Sequence, residues 1–200
     1  MSKLTLLLVL LSIPAIASAG VPDPRFSSVP SCWTLCPNGD LSVTVTIRDV
    51  SNAPQNSALV WIDLCSCPSV HLCPASPQDG YTVNGCQVSK RTNASGQATF
   101  ALRGGGGCLG PAPVYADGIL MATVTTIASA DQDGDLDVDV MDHGLVHTKH
   151  GTADRTGDLT CDGVVNFDDD PALQVHLRHV CTNPTPALPL SWGRMRVLYR

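Results

Sequence analysis

Residues 131–142, DQDGDLDVDVMD, place six aspartates in twelve positions. Carboxylates spaced in this way can surround a hard cation, because Ca²⁺ takes six to eight oxygen ligands. A twelve-residue calcium loop supplies them from positions 1, 3, 5, 7, 9 and 12, with a backbone carbonyl at position 7. In this stretch those positions are Asp131, Asp133, Asp135, Asp137, Asp139 and Asp142. The spacing predicts a calcium loop.

A second copy of the pattern, DLTCDGVVNFDD, begins at residue 158. Position 8 is valine in both copies, Val138 and Val165, and this is the apolar position at which two such loops pair. A disordered acidic tract would not need the repeated valine. Two copies in phase therefore predict two bound Ca²⁺ ions. The ligand positions of the second copy are Asp158, Thr160, Asp162, Val164 through its carbonyl, Asn166 and Asp169.

Each loop runs into a segment with the apolar spacing of a helix, whereas MATVTTIAS before the first loop indicates strand rather than an entering helix. Position 12 is Asp instead of the Glu of an EF-hand. A duplicated loop with an exiting helix and Asp at position 12 resembles the type I dockerin domain, over about Asp131 to Cys181. The resemblance implies two Ca²⁺ ions and docking onto a cohesin-like or other surface protein, often in polysaccharide-degrading assemblies.

The two loops depart from that family pattern in different ways. Position 6 favours glycine for a sharp turn. It is Gly163 in the second loop but Leu136 in the first, so the first loop is predicted to be strained, while Thr160 weakens the second. The dockerin contact positions, 10 and 11, form unlike pairs, which argues against a symmetric docking mode: Val140 and Met141, then Phe167 and Asp168.

Upstream of the loops, apolar and polar residues alternate with the period of half-buried strands. The stretches are 41–50, 57–64, 80–92, 97–103 and 113–127, the last with a predicted hairpin turn at Asp117-Gly118. VTIRDVSNAPQNSALVWI and TNASGQATFAL resemble bacterial Ig-like or carboxypeptidase-regulatory-like modules. The expected fold class is mixed and multi-domain: an antiparallel Ig-like β-sandwich followed by a small α-helical dockerin-like calcium-loop pair.

The first 19 residues are typical of a secretory signal peptide, with Lys3, an apolar run and small residues before Gly20. The run is too short to span a bilayer comfortably. We therefore expect a secreted, extracellular or cell-surface protein with no transmembrane segment in the mature chain. The expected organisation is a signal peptide at 1–19, a lead-in at 20–40, a β-sandwich at 41–127, the calcium module at 128–181 and a Pro-rich linker with a C-terminal tail at 182–200.

Nine cysteines in an exported chain are expected to form disulfides rather than metal thiolates, including those of CSCPSVHLC at 65–73. Because nine is odd, at least one thiol is free or pairs between chains. Cys161 and Cys181 bracket the second predicted helix and form one candidate pair.

Five histidines follow the two loops. His143, His147 and His150 lie at i, i+4 and i+7 after the first, and His176 and His179 come after the second. Imidazoles one turn apart can share a transition metal. The sequence favours the simpler interpretation, a polar helix face.

All 18 acidic residues are Asp, and 12 of them lie between residues 131 and 170. A field this negative argues against nucleic acid or an anionic membrane as a partner. The clustered carboxylates are all accounted for by calcium, so no catalytic pair stands out and the chain is predicted not to be an enzyme.

The sequence thus predicts an exported, non-catalytic calcium-binding protein that mediates attachment in an extracellular or cell-surface assembly. One alternative is a structural surface or fibre subunit that self-associates, through the unpaired cysteine or the C-terminal tail. Another is a carbohydrate-active accessory protein, which three Trp, three Tyr and three Phe do not favour.

Overall fold

The computed structural model describes residues 20–74, 76 and 79–181, so the predicted signal peptide and the 182–200 tail lie outside the described residues. Within those ranges the chain is β-rich, and neither helix is long and apolar enough to cross a membrane. The elements are β1 (Cys32–Leu35), β2 (Val43–Thr46), β3 (Leu59–Asp63), β4 (His71–Leu72), β5 (Thr82–Asn84), β6 (Gln87–Arg91), β7 (Gln97–Phe100), β8 (Gly104–Gly105), β9 (Ala112–Ala116), β10 (Ile119–Val124), β11 (Thr126–Ser129), α1 (Val140–Lys149) and α2 (Asp169–Gln174).

The largest sheet has five antiparallel strands in the order β10-β9-β3-β6-β5. Alternation in β3 buries Val60 and Ile62, as the sequence pattern predicts. Three two-stranded sheets accompany it: β2 with β7 and β4 with β8 are antiparallel, and β1 with β11 is parallel. All the predicted strand stretches contain strands, but β1, β4 and β8 carry no clear alternation and were not predicted.

The hairpin turn between β9 and β10 is confirmed. Asp117 and Gly118 have φ angles of 47° and 84°. Two consecutive residues in the left-handed region match the tight hairpin turn that an Asp-Gly pair favours. The Asp117 carboxylate also accepts a hydrogen bond of 2.9 Å from the backbone N–H of Leu59, which ties the turn to β3.

One apolar core joins the sheets. Trp33 of β1 is fully buried, and its ring centroid lies 5.5 Å from that of Phe100 of β7. The Trp33 indole N–H donates to the Pro30 carbonyl at 3.1 Å, so its polar atom is satisfied. The other large, fully buried side chains of this core include Leu35, Val45, Ile47, Val60, Ile62, Val88, Leu102, Val114 and Ile127.

The expected fold class is wrong. The described chain is mostly strand, its two helices have only 10 and 6 residues, and they do not form a dockerin helix pair. The physical reason lies in the segments after the loops. Pro171 occupies the first turn of α2, and the chain then turns at Arg178, whose φ is 71°, to form a bridge between Val180 and Asp137. This return replaces a longer exiting helix.

A second, smaller apolar cluster lies beneath the two loops. It combines Val138, Val146, Val165 and Leu173 with residues from the β region, including Cys36 and Ala130. The backbone of Ala130 donates to Leu35 of β1 at 3.0 Å, directly before the first loop begins. The loops therefore rest on the β1–β11 pair.

Four disulfides are present: Cys32–Cys161, Cys65–Cys86, Cys67–Cys108 and Cys73–Cys181. The candidate pair Cys161–Cys181 is therefore wrong, because each of these cysteines is bonded to a cysteine of the β region. The unpaired cysteine is Cys36, which is fully buried. A buried thiol cannot reach another chain, so the folded protein has no route to self-association through it.

Candidate metal sites

The first loop encloses its two end carboxylates. Asp131 and Asp142, at positions 1 and 12, are 0% and 1% exposed. The Asp131 carboxylate accepts backbone N–H bonds from Gly134 at 2.7 Å and Leu136 at 2.8 Å. Asp142 accepts from Gln132 at 2.6 Å and, through its other oxygen, from Asp139 at 2.7 Å. The backbone thus wraps around both carboxylates as a calcium loop does.

The second loop has the same arrangement. Asp158 and Asp169 are 1% and 0% exposed. Asp158 accepts from the backbone of Asp162 at 3.1 Å and of Gly163 at 2.9 Å. Asp169 accepts from Leu159 at 2.9 Å and, through its other oxygen, from Asn166 at 2.9 Å. Two segments of different sequence therefore hold their position 1 and position 12 carboxylates by equivalent contacts.

The remaining predicted ligands are arranged unequally. In the first loop Asp131, Asp133 and Asp142 each offer an oxygen within 4.8 Å of the others, as do Asp137, Asp139 and Asp142. The second loop has neutral side chains at two of these positions: the Thr160 hydroxyl donates to Asp158 Oδ1 at 3.4 Å, and the Asn166 amide nitrogen donates to Asp162 Oδ2 at 3.4 Å. The Val164 backbone N–H donates to the Asp162 carboxylate at 2.9 Å. Asp135 accepts from the N–H of Asp137 at 3.0 Å.

Burial makes it costly to ionise the carboxyl groups of the first loop when no cation is bound. It raises the pKa of Asp131 to about 6, and the neighbouring carboxylates of Asp142 and Asp135 act in the same direction. Burial also raises the pKa of Asp142, although its backbone donors oppose the shift. Burial and the surrounding carboxylates raise the pKa of Asp137 as well. A bound dication would remove this repulsion.

Leu136 has the strained conformation that its position predicts. Its φ is 73°, and Gly163 at the equivalent place in the second loop has a φ of 96°. The left-handed region favours glycine, so a leucine there carries a conformational cost. The valines at position 8, where the two loops were expected to pair, are both buried in the same apolar cluster, and their backbones bond to other segments. Val138 bonds to Arg178 and His179, and the Val165 carbonyl accepts from Gly151.

Gly105 is a residue of this site that sequence reasoning missed. A Cβ atom at this position would lie 1.7 Å from an Asp131 carboxylate oxygen, and the next residue, Gly106, donates its N–H to the Asp131 carbonyl at 2.7 Å. The run of four glycines from residue 104 gives a signal in the sequence, but it does not reveal that the first loop packs against it.

Replacing Gly105 with alanine is expected to displace Asp131, which weakens Ca²⁺ binding at the first loop and destabilises the protein by about 1–3 kcal/mol through overpacking. Calorimetric Ca²⁺ titration and urea unfolding measure both effects. Gly144→Ala is the matched control, because nothing lies within 4 Å of its Cβ position in α1, and alanine there should stabilise the helix by about 1 kcal/mol. Unchanged Ca²⁺ binding in Gly105→Ala would contradict the expectation.

Two further clusters contain nitrogen donors. His143 and His147 of α1 and His150, the residue that ends this helix, surround Asp170 of α2, with N···O distances of 3.9, 3.7 and 3.2 Å. The α1 face predicted to be merely polar therefore faces a carboxylate on the other helix. Asp170 was not predicted for this group because its proximity to α1 is a tertiary contact.

The other cluster contains His176 and His179 with Asp40 and Cys36. His176 Nδ1 lies 2.9 Å and His179 Nδ1 lies 3.3 Å from Asp40 Oδ2. The Cys36 sulfur lies 3.4 Å from His179 Nδ1. Sequence reasoning missed Cys36 and Asp40, which precede the histidines by more than 130 residues.

No family model and no curated protein matches the chain. Among solved structures it is similar to the adhesin InvE of Yersinia pseudotuberculosis, with 18% sequence identity and a TM-score of 0.24 over 55% of this chain and 28% of that one. The chain thus spans under a third of that adhesin, and a likeness this low supports no conclusion about function.

Proposed function

We propose that this is an exported, non-catalytic calcium-binding protein whose two loops each bind one Ca²⁺ ion. The observation that carries the proposal is the equivalent enclosure of four buried carboxylates, at positions 1 and 12 of both loops. Among the described residues, no Lys, Arg or His lies within ion-pair distance of any of the four. Buried carboxylates without a cationic partner are costly unless a metal ion compensates them.

Calcium would act on the surface that the loops present. Asp142 is a ligand position and also completes the capping box at the start of α1, where Asp139 caps the helix. A cation held by Asp142 therefore fixes the first turn of α1. The first two residues of that turn are apolar and exposed, with Val140 at 74% and Met141 at 62%. In the second loop Phe167 is 72% exposed.

Exposed apolar side chains on a calcium-ordered segment fit a role in protein attachment. We infer a partner with an apolar face, of which a cohesin-like domain is the first candidate, in an extracellular or cell-surface assembly. The disulfides support export to an oxidising environment outside the cell. They also tie the loops to the β region, so the loops act as part of the whole chain rather than as a separate module.

Calcium titration of the full, oxidised chain tests the proposal. Isothermal calorimetry should give two Ca²⁺ ions per chain, and Asp142→Asn or Asp169→Asn should each remove one. Asp168→Asn is the matched control, because this exposed carboxylate is next to Asp169 and makes no side-chain capping bond. Two ions still bound by both ligand variants, or none bound by the wild-type chain, would overturn the proposal.

Attachment is tested separately with an immobilised type I cohesin domain. Capture should occur with Ca²⁺, disappear with chelator and weaken in the variant that carries both Val140→Asp and Met141→Asp. Equal capture with chelator, or no capture by the calcium-loaded chain, would remove the cohesin-type role while leaving the calcium result intact.

A further inference from the structure

Four side chains with metal-binding atoms converge where the turn after β1 meets the turn after α2. They are Cys36, Asp40, His176 and His179, and one atom of each lies within 4.8 Å of the others. The distances between neighbouring atoms are 3.4 Å from Cys36 Sγ to His179 Nδ1, 3.3 Å from His179 Nδ1 to Asp40 Oδ2, and 2.9 Å from His176 Nδ1 to Asp40 Oδ2.

Two of these separations, 3.4 and 3.3 Å, match a tetrahedral zinc site, and the third, 2.9 Å, is a hydrogen bond that a bound ion would replace. With Zn–N and Zn–O bonds of about 2.0 Å and a Zn–S bond of about 2.3 Å, neighbouring ligand atoms lie roughly 3.3–3.6 Å apart. One thiolate, one carboxylate and two imidazoles fill all four positions, which is the pattern of a structural site rather than a catalytic one. We propose that Cys36, Asp40, His176 and His179 bind a structural Zn²⁺ ion.

The local environment of Cys36 supports a metal thiolate. It is unpaired and fully buried, whereas the other eight cysteines form disulfides. The turn that follows it is closed by a hydrogen bond of 2.9 Å from the Gly39 N–H to the Cys36 carbonyl, and it brings the backbone N–H groups of Asn38 and Gly39 close to the sulfur. The turn that aims them requires Gly39, whose φ is 74°. Amide donors of this kind stabilise a thiolate and orient it toward a metal.

Charge balance also favours a dication here. A Zn²⁺ ion with one thiolate, one carboxylate and two neutral imidazoles has no net charge, so the complex can be buried at low cost. The ion would hold the segment after α2 against β1. That segment also contacts the first calcium loop, because the His179 carbonyl accepts from Val138 N–H at 2.8 Å.

A different observation points to a second site between the helices. His143 Nε2, His150 Nε2 and Asp170 Oδ1 are buried and have no hydrogen-bond partner. The Asp170 oxygen lies 3.9 Å from His143 Nε2 and 3.2 Å from His150 Nε2, yet the orientations form no hydrogen bond. His147 Nδ1 lies 3.7 Å from the other Asp170 oxygen.

Buried polar atoms that face one another without hydrogen bonds form a set that a bound ion would satisfy. One atom each of His147, His150 and Asp170 lies within 4.8 Å of the others, and His143 Nε2 lies beside them, 3.9 Å from Asp170 Oδ1. Nitrogen donors beside a carboxylate suit a transition metal and do not suit Ca²⁺, which prefers oxygen ligands. We infer a second Zn²⁺ site at His143, His147, His150 and Asp170, which joins α1 to α2. Neither zinc site depends on the calcium proposal, since none of the eight residues is a calcium ligand position.

Cobalt titration of the full, oxidised chain in saturating Ca²⁺ tests both sites, because tetrahedral Co²⁺ absorbs visible light and only a thiolate ligand adds a near-ultraviolet charge-transfer band. The wild-type chain should bind two Co²⁺ ions with one such band, and Zn²⁺ should displace both. Cys36→Ser should lose the band and one ion. His150→Gln should keep the band and bind one ion.

Asp40→Asn is the second variant for the first site, since this partly exposed residue can change without opening the core. It should lower the Co²⁺ affinity at the thiolate site by about tenfold or more. A wild-type spectrum without the charge-transfer band, or Cys36→Ser still binding two ions, would overturn the first site. His150→Gln binding two ions would overturn the second. Circular dichroism confirms that each variant is folded.

Discussion

Replacing Cys73 and Cys181 together with serine is expected to lower the free energy of unfolding by about 5 kcal/mol. Their disulfide joins residues 108 positions apart, and the loss of chain entropy in the unfolded state grows with the length of the closed loop. Urea unfolding with Ca²⁺ present measures the effect. Affinity at the first calcium loop should fall as well, because the Cys181 N–H donates to the Leu136 carbonyl at 2.9 Å.

The matched control removes the disulfide between Cys65 and Cys86, which spans only 21 residues. The same chain-entropy relation gives a cost of roughly 3 kcal/mol for this shorter loop. Calcium affinity should be unchanged, since both cysteines lie beside strands of the five-stranded sheet, Cys65 after β3 and Cys86 between β5 and β6. If both double variants lost equal stability and equal Ca²⁺ affinity, the long disulfide would not be what anchors the loops.

Trp33→Ala is expected to destabilise the protein by about 3–5 kcal/mol, the usual cost of truncating a buried large aromatic side chain. Trp33 is fully buried at the centre of the main core, packs on Phe100, and belongs to the strand that pairs with β11. Because β11 leads directly into the first loop, the loss of packing around β1 should also lower the Ca²⁺ affinity of that loop. Chemical unfolding gives the stability, and calorimetry gives the remaining Ca²⁺ affinity.

Trp61→Ala provides the comparison. Trp61 is only partly buried and stacks on Tyr115 with a centroid distance of 4.2 Å. Losing that contact should cost about 1 kcal/mol, in the range of aromatic pairs. If Trp61→Ala and Trp33→Ala lost equal unfolding free energy, burial would not determine the cost of the substitution. That result would contradict the role assigned to Trp33.

The enclosure of carboxylates in the two acidic loops could be predicted because its information is local. Position 1 and position 12 are eleven residues apart, and the backbone between them is short enough for aspartate spacing to fix the carboxylate arrangement. The strain at Leu136 followed from the same reasoning, since a sharp turn restricts φ wherever it occurs. The half-buried strands were also predictable, because alternation reports which face is buried.

Helix length and disulfide pairing could not be predicted in this way. Apolar spacing after the loops suggested longer helices, but the chain leaves α2 after six residues and turns back to meet Asp137. Cys161 and Cys181 are close in sequence, yet their partners, Cys32 and Cys73, lie over 100 residues away. A pattern along the chain does not encode which distant segments become neighbours.

Sequence alone thus determined the chemistry of each short segment: oxygen-rich loops, alternating strands and an odd cysteine. Only the tertiary structure decided what those segments do together. It placed Asp131 against Gly105 and buried Cys36 beside His179. It also brought His143, His147 and His150 close to Asp170. The physical reason is that ligand sets built from distant segments depend on packing between β1, the loops and the helices, and no local periodicity records that packing.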